Sequence, residues 1–347
     1  MASLRVLIAP DSYKGTATAH EVAAALGHAC WDADVDAIEV PMSDGGDGLI
    51  DVLGGPNRTS RVNGPLGVPV DATWRLHRDT AVIEMARASG LVLAGGAERN
   101  RPLDASTEGV GQLIDHALDA AARRIVVGLG GSATTDGGYG AVRAINGIAR
   151  LENVELLVAC DVTTPFLDAA RVFGPQKGAT PAQVKMLSSR LERLAQMFQS
   201  EFDADVIGVE GGGAAGGLGG ALAALGGRLI PGVELVADEL DLFDHLDPES
   251  PDLVDLVVTG EGRLDATSFR GKVVGGVSEF AAEAGVPTLA VVGTVDPAVA
   301  DALPDGLEVL AVSDVVGEER SIAEPRRSIT AAFAGWLAER DTAATSR

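Results

Sequence analysis

Cysteine is nearly absent. Cys30 and Cys160, two in 347 residues, are too few and too far apart for a disulfide framework, and neither stands beside a second ligand-type pair that would suggest zinc. Long apolar runs are missing too: none approaches the roughly 20 residues a membrane span needs, and "MASLRVLIAPDS" meets a polar turn too early for a secretory signal. A cytoplasmic protein without membrane partners is expected. Positive charge is scarce, with 27 Lys and Arg against 50 Asp and Glu and a formal net charge of -23. Such a balance excludes nucleic acid as a partner, because phosphate backbones need a basic surface. Lysine is rarest of all. Lys14, Lys177, Lys185 and Lys272 are the whole set, and three of them sit beside glycine in "SYKGT", "PQKGA" and "RGKVV". Scattered surface lysines would give the same count, but not the same placement.

What is present is one small pattern, repeated: a β-branched apolar run, a loop rich in Gly, Asp, Ser and Thr, then an alanine-rich segment with helical spacing. Strands are expected at "LRVLIAP", "VDAIEVP", "RRIVVGL", "VELLVAC", "ADVIGVE", "VDLVVTG", "PTLAVVG" and "LEVLAVS". Without in-out alternation these read as strands buried on both faces of a largely parallel sheet. Thr18 and Glu21 have capping-box spacing ahead of the first helix. Alternating strands and helices mean an α/β fold. From about Asn57 to Gly95 the texture changes to clearer alternation with Pro and Gly turns, which predicts an antiparallel, hairpin-bearing sheet and a second domain beginning near residue 60. A length of 347 suits two domains.

Ligands of open parallel sheets bind beyond the carboxyl ends of the strands, so the strand-to-helix loops are the place for chemistry. They carry Asp11, Ser12 and Lys14 in "PDSYKGT", Ser43, Asp44 and Asp47 in "MSDGGDG", Asp136 in "VGLGGSATTDGGYG", Asp161 in "CDVTTP", Lys177 in "FGPQKGAT", and Glu261, Arg263, Asp265 and Lys272 in "TGEGRLDATSFRGK". Bare glycine amides and lysines suit phosphate, and carboxylates suit magnesium. The inventory describes phosphoryl transfer, with one aspartate as base. Walker A, G-x-S-x-G and Cys–His signatures are absent. A rival reading is dinucleotide binding through G-x-G-x-x-G at Gly211, Gly213 and Gly216, after the expected strand "ADVIGVE". The plainer alternatives are a tight packing turn at those glycines and, for Asp136, a turn aspartate capping the next helix. The five histidines show no ligand spacing.

In order along the chain, "APDSYKGTATAHEVAAAL", "VPMSDGGDGL", "IEMARASGL", "ASTEGVGQLIDHALD", "VGLGGSATTDGGYG", "ACDVT", "VFGPQKGAT", "GGGAAGGLGGALAALGGRLIPGVELV" and "DLVVTGEGRLD" with "GK" resemble the bacterial glycerate kinase type I family. The resemblance implies an ATP- and Mg2+-dependent kinase that phosphorylates D-glycerate, usually at the 2-hydroxyl. It implies two α/β domains with the active-site cleft between them: a flavodoxin-like one with a mostly parallel sheet, from residues 1–60 and 255–347, and an inserted restriction-endonuclease-like one with a mixed sheet at 61–254. Asp265, Lys272, Lys14 and Asp44 are then the expected catalytic residues. Gly130, Gly131, Ser132, Lys177, Gly213 and Gly216 are expected at the nucleotide, and Asp136 and Asp161 at the metal. Division of the aspartates between magnesium and proton removal stays open, with Asp265 put forward as base. The loops after Ile145 and Thr163 are shorter than usual in the family, which leaves another small hydroxy acid or polyol as the alternative acceptor; an NAD-dependent dehydrogenase using Gly211, Gly213 and Gly216 is the outside case. Partners are small molecules, with a homodimer left open.

Overall fold

The computed structural model describes residues 4–299 and 303–345. The chain begins with β1 (Arg5–Ile8), α1 (Ala19–Asp32) and β2 (Asp36–Glu39). Next come α2 (Leu49–Val52), β3 (Arg58–Asn63), β4 (Pro69–His77), β5 (Thr80–Glu84), α3 (Ala86–Ser89), α4 (Glu108–Asp119), β6 (Arg124–Gly128), α5 (Tyr139–Ala144), β7 (Glu155–Ala159), α6 (Ala169–Phe173), α7 (Pro181–Phe202), α8 (Ala214–Ala224) and β8 (Arg228–Ile230). It continues with α9 (Gly232–Glu239), β9 (Leu256–Thr259), β10 (Arg263–Leu264), α10 (Val273–Glu283), β11 (Thr288–Val292), β12 (Thr294–Val295), β13 (Leu307–Ala311), α11 (Val312–Val316), α12 (Glu318–Ala323) and α13 (Pro325–Thr345). Two compact units result, one from the segments up to Asp44 and from Val233 onward, the other from Gly45 to Gly232.

The first unit holds a five-stranded sheet in the order β13-β11-β9-β1-β2, parallel throughout. Numbered within the unit, that is the flavodoxin-like order, and its direction reverses between β1 and β9. Both faces are covered, which is why these strands are continuously apolar. Leu289 and Val291 pack with Leu26 of α1 and Phe333 of α13, while their neighbours Ala290 and Val292 meet Val274 of α10. The expected capping box is formed: the Glu21 N–H donates to Thr18 Oγ1 at 3.2 Å, and the Thr18 N–H to Glu21 Oε2 at 3.0 Å. Such a cap is worth about 1 kcal/mol.

The second unit holds a six-stranded mixed sheet, β3-β4-β5-β6-β7-β8. Its first three strands run antiparallel and the rest parallel, so the change of texture at 57–95 is the antiparallel half. Val110, Leu113 and Ile114 of α4 pack on Ile125 and Val127 of β6, and Phe166, Leu187, Leu191 and Phe198 form a separate cluster.

Two expectations are corrected. The chain changes unit at 44/45 and 232/233 instead of 60/61 and 254/255. Glu84 of β5 accepts the N–H groups of Gly48 and Ile50, at 3.1 and 2.9 Å, and so holds the start of α2 to the mixed sheet. After Gly232, Val233 packs beneath Gly276 of α10, and the Phe243 ring meets Phe280 edge-on at 5.0 Å between centroids. Composition marked where the hairpin begins, whereas these contacts set where the units divide. The second correction is "ADVIGVE", which forms no strand. The Ile207 N–H donates to Asp205 Oδ1 at 3.0 Å, a local turn that competes with strand pairing.

Candidate active site

In the first unit the loops after β1, β2 and β9 gather at the carboxyl end of the parallel sheet, where its order reverses. The Asp11 N–H donates to Gly260 O at 2.8 Å, and Thr259 Oγ1 donates to Ala9 O at 2.9 Å, so the loops after β1 and β9 are pinned together. Gly260 lets the loop after β9 lie against β11: a Cβ there would lie 2.0 Å from Val291 O. Tyr13 is buried with its hydroxyl on Val291 O, and burial pushes its phenol far above the ordinary range. It acts as a donor only.

Within the first unit these loops carry the carboxylates of Asp11, Asp44, Glu261 and Asp265. Burial, then the charge of Asp44 and more weakly that of Glu261, push the Asp11 carboxyl up to about 7, although the Ser12 N–H on its Oδ1 pulls it down. Glu261 is also raised, first by burial, with the Ser268 hydroxyl and the Lys272 ammonium opposing. It is 9% exposed, and its Oε1 is buried without a hydrogen-bond partner. Asp265 goes the other way. Thr267 donates both its hydroxyl and its N–H to Asp265 Oδ1, at 2.6 and 2.7 Å, and with Lys272 and Arg263 nearby its carboxyl is held below the usual range. Asp44 is half-buried. Lys272 stands half-buried at the N-cap of α10, and Lys14 is exposed. Asp44, Asp265 and Lys272 all act on Glu261, and Asp11, like Glu261 one of the loop residues singled out in the sequence, lies within reach of the charges of Asp44 and Glu261. Both had a legible signal: each is among the first polar residues beyond a parallel strand.

In the second unit the loop after β6 has another character. Asp136 Oδ2 accepts from the Thr107 N–H at 2.8 Å, the Thr107 hydroxyl at 2.9 Å and the Gly140 N–H at 3.2 Å, while Oδ1 accepts from the Gly138 N–H at 3.2 Å. The carboxylate caps the starts of α4 and α5. With four donors on it, Asp136 does not fit the metal role expected of it. Lys177 is likewise turned inward. Its Nζ donates to Thr134 O at 2.7 Å, and burial, opposed by Asp136, brings its ammonium down to about 7. A nucleotide cannot reach that group as placed. Gly213 and Gly216 are packing glycines: their N–H groups donate to Thr164 O and Gly213 O, and a Cβ on Gly216, at φ +73°, would lie 2.0 Å from Thr134 O. With "ADVIGVE" forming no strand, the dinucleotide fingerprint lacks its strand context.

Gly130, Gly131 and Ser132 form the part of this loop that reaches the surface, and Asp161 is exposed after β7. Among the described residues no three His, Cys, Asp or Glu side chains are grouped to hold a metal ion, and no helix is long and apolar enough to cross a membrane. Cys30 and Cys160 are both free thiols.

Comparison with known proteins agrees with this fold. Residues 6–149 and 146–335 match the glycerate kinase family. A glycerate 2-kinase of Escherichia coli (strain K12) is 39% identical over 331 residues, covering 84% of this chain and 85% of the relative. A glycerate kinase of Bacillus subtilis (strain 168) is 38% identical over 332 residues, with 84% and 85% covered. A crystal structure from Salmonella typhimurium LT2 carrying the designation glycerate kinase 2 superposes with a TM-score of 0.82 at 33% identity, over 99% of this chain and 100% of that one.

Proposed function

The chain belongs to the glycerate kinase family, and from that premise we propose that it transfers the γ-phosphoryl group of ATP to the 2-hydroxyl of D-glycerate, giving 2-phosphoglycerate and ADP. The observation that carries this reading is the set of Asp11, Asp44, Glu261 and Lys272 at the reversal point of a parallel sheet, where α/β proteins bind their ligands. Phosphoryl transfer asks a protein for alignment, charge neutralisation and a proton acceptor, and these side chains offer the last two.

In this reading Lys272 meets anionic oxygen of the substrates, aided by the partial positive charge at the start of the eleven-residue α10. Lys14, exposed on the loop after β1, supplies a second positive charge. The acceptor oxygen forms a bond to phosphorus as the bond from phosphorus to the bridging oxygen breaks, and ADP leaves with that electron pair. Magnesium bound to ATP would neutralise charge on the phosphates, and Asp136, with four donors on it, would not hold that ion. In the second unit, Gly130, Gly131 and Ser132 are the backbone we assign to anion contact. A cytoplasmic setting and a homodimer belong to the same reading, tested by fractionation and light scattering.

Phosphorus NMR of the protein with Mg2+, ATP and D-glycerate tests the reaction. Phosphate on the 2-oxygen couples to one carbon-bound proton and gives a doublet, whereas the 3-oxygen gives a triplet. A triplet corrects the position, and no phosphomonoester signal moves the search to another small hydroxy acid or polyol.

A further inference from the structure

We propose that Glu261 is the proton acceptor of this reaction: its carboxylate receives the acceptor hydroxyl of the substrate and takes its proton as that oxygen attacks phosphorus. The inference rests on the glycerate kinase reading and deepens it.

One oxygen atom carries the choice. Among the described residues the buried side-chain atoms left without a hydrogen-bond partner are Asn100 Oδ1, Thr135 Oγ1, His245 Nδ1 and Glu261 Oε1, and only the last is a carboxylate oxygen. It also belongs to a loop at the carboxyl end of the parallel sheet, beside the point where the strand order reverses. Buried carboxylate oxygens are normally met by donors, so a bare one on a residue 9% exposed marks the place of a donor that the protein does not itself supply. A substrate hydroxyl is such a donor. Two aspartates of these loops are already met from their own neighbours: Asp265 accepts the hydroxyl and the N–H of Thr267, and Asp11 accepts the N–H and the hydroxyl of Ser12.

The backbone around Glu261 is held on both sides. Its carbonyl accepts the Gly293 N–H at 3.0 Å, and the Gly262 carbonyl accepts the Thr294 N–H at 3.1 Å. A Cβ at Gly262 would lie 3.3 Å from Lys14 N, so the loop after β1 closes on the other side. The ends of β1, β9 and β11 therefore fix where this side chain starts, which a base that must come within hydrogen-bond reach of a hydroxyl requires. Asp44 of the loop after β2, Asp265 and Lys272 act on Glu261 by charge, and Glu261 acts on Asp11 and Tyr13 of the loop after β1. Ser268 completes the surroundings, its Oγ accepting the Asp265 N–H at 2.9 Å. Burial first, with Asp265 and Asp44 adding to it, gives the carboxylate the raised proton affinity that suits a base near neutrality.

Atoms balance simply. The acceptor oxygen bonds to the γ-phosphorus, the bridging bond breaks with its electron pair leaving on ADP, the hydroxyl proton passes to the Glu261 carboxylate, and that proton leaves to water after product release.

The test compares wild type with Glu261→Gln and Glu261→Ala in full-length protein, varying ATP and D-glycerate separately in the presence of Mg2+. Glu261→Gln keeps the size and removes the charge, and it is expected to lower kcat about 10²–10⁴-fold. Both KM values are expected to stay within about threefold of wild type, because the proton moves only as the transition state is reached. Glu261→Ala is expected to lose as much and to regain at least about tenfold on addition of sodium formate, a free carboxylate that fits the vacated space and accepts the proton. A glutamate kept only for the fold gives no such rescue. Stability supplies a readout apart from turnover. Glutamine removes a buried negative charge from beside Asp11, Asp44 and Asp265, so Glu261→Gln is expected to melt at or above the wild-type temperature. If Glu261→Ala does not fold, the glutamine variant decides through its kcat, its KM values and its melt. Wild type that phosphorylates glycerate overturns the base alone if Glu261→Gln stays within about threefold of it in kcat, loses activity through KM or melts lower, or if formate leaves a folded Glu261→Ala unchanged. Wild type that transfers nothing to glycerate overturns the parent reading, and this one with it.

Discussion

The loops at the ends of β1, β2 and β9 and the loop after β6 draw on one inventory of Asp, Gly, Ser or Thr and a nearby lysine, yet they fold into opposite electrostatic states. In the first, Asp11, Asp44 and Glu261 repel one another, and an oxygen of Glu261 is left without a partner. In the second, Asp136 is saturated by four donors and Lys177 is bound to a carbonyl oxygen. Satisfied charges hold a fold together. Carboxylates held close, with one buried oxygen left without a partner, raise the energy of the site, and a ligand that relieves them recovers that energy on binding. The contrast favours the first group for the proposed chemistry and gives Asp136 and Lys177 an architectural role, although the two sequences promise the same thing.

The strongest way to break the contrast is Asp136→Ala. It leaves the Thr107, Gly138 and Gly140 donors without their acceptor, and each buried donor left unpaired is expected to cost about 1–3 kcal/mol. Urea unfolding measures it. A loss below about 1 kcal/mol with activity abolished would return Asp136 to the substrate or metal. Lys272→Met comes next, and it acts on rate. It removes the half-buried positive charge of the first group, and turnover is expected to fall about 10²–10³-fold with the melting temperature nearly unchanged. Steady-state kinetics beside a thermal melt decides, and wild-type turnover would take Lys272 out of the site.

Much of the fold was legible. The apolar runs at β1, β6, β7, β9, β11 and β13, the capping box at Thr18 and Glu21, and the antiparallel hairpin of β3 and β4 follow from local periodicity and local polar contacts. The site was legible as a list of loops and not as a choice within them. Asp265 and Asp11 are both loop aspartates, and what separates them is Thr267 two residues from one and the charges of two other loops around the other. Asp136 looks the same whether it meets an ion or Thr107, because its fate was set by a residue 29 positions away. Lys177 beside Gly178 reads as an exposed phosphate contact. Only the packing of the carbonyl of Thr134 and the ring of Phe173 around its Nζ shows it to be interior.

Lys177 also gives the smallest and sharpest test of the contrast. Its folded-state ammonium is brought down by burial from 10.5 to about 7, with Asp136 the opposing influence. Between those values the unfolded chain binds a proton at this side chain that the native chain does not, so the lysine makes stability rise with pH across the window. Below about 7 both states carry the charge, and the full desolvation cost falls on the native one. Lys177→Met removes this dependence. Relative to wild type, the variant is expected to gain stability at pH 6 and to lose that advantage progressively toward pH 10, as read from urea midpoints at pH 6, 8 and 10. Subtracting the two curves cancels every other titrating group. A flat difference would mean that the ammonium keeps its proton throughout, with Asp136 and Thr134 O compensating its burial, and the second group would be even more fully satisfied than the contrast requires. A difference of opposite sign would mean that the native state binds the proton more tightly than the unfolded chain, and Lys177 would then belong with the charges available to an anionic ligand.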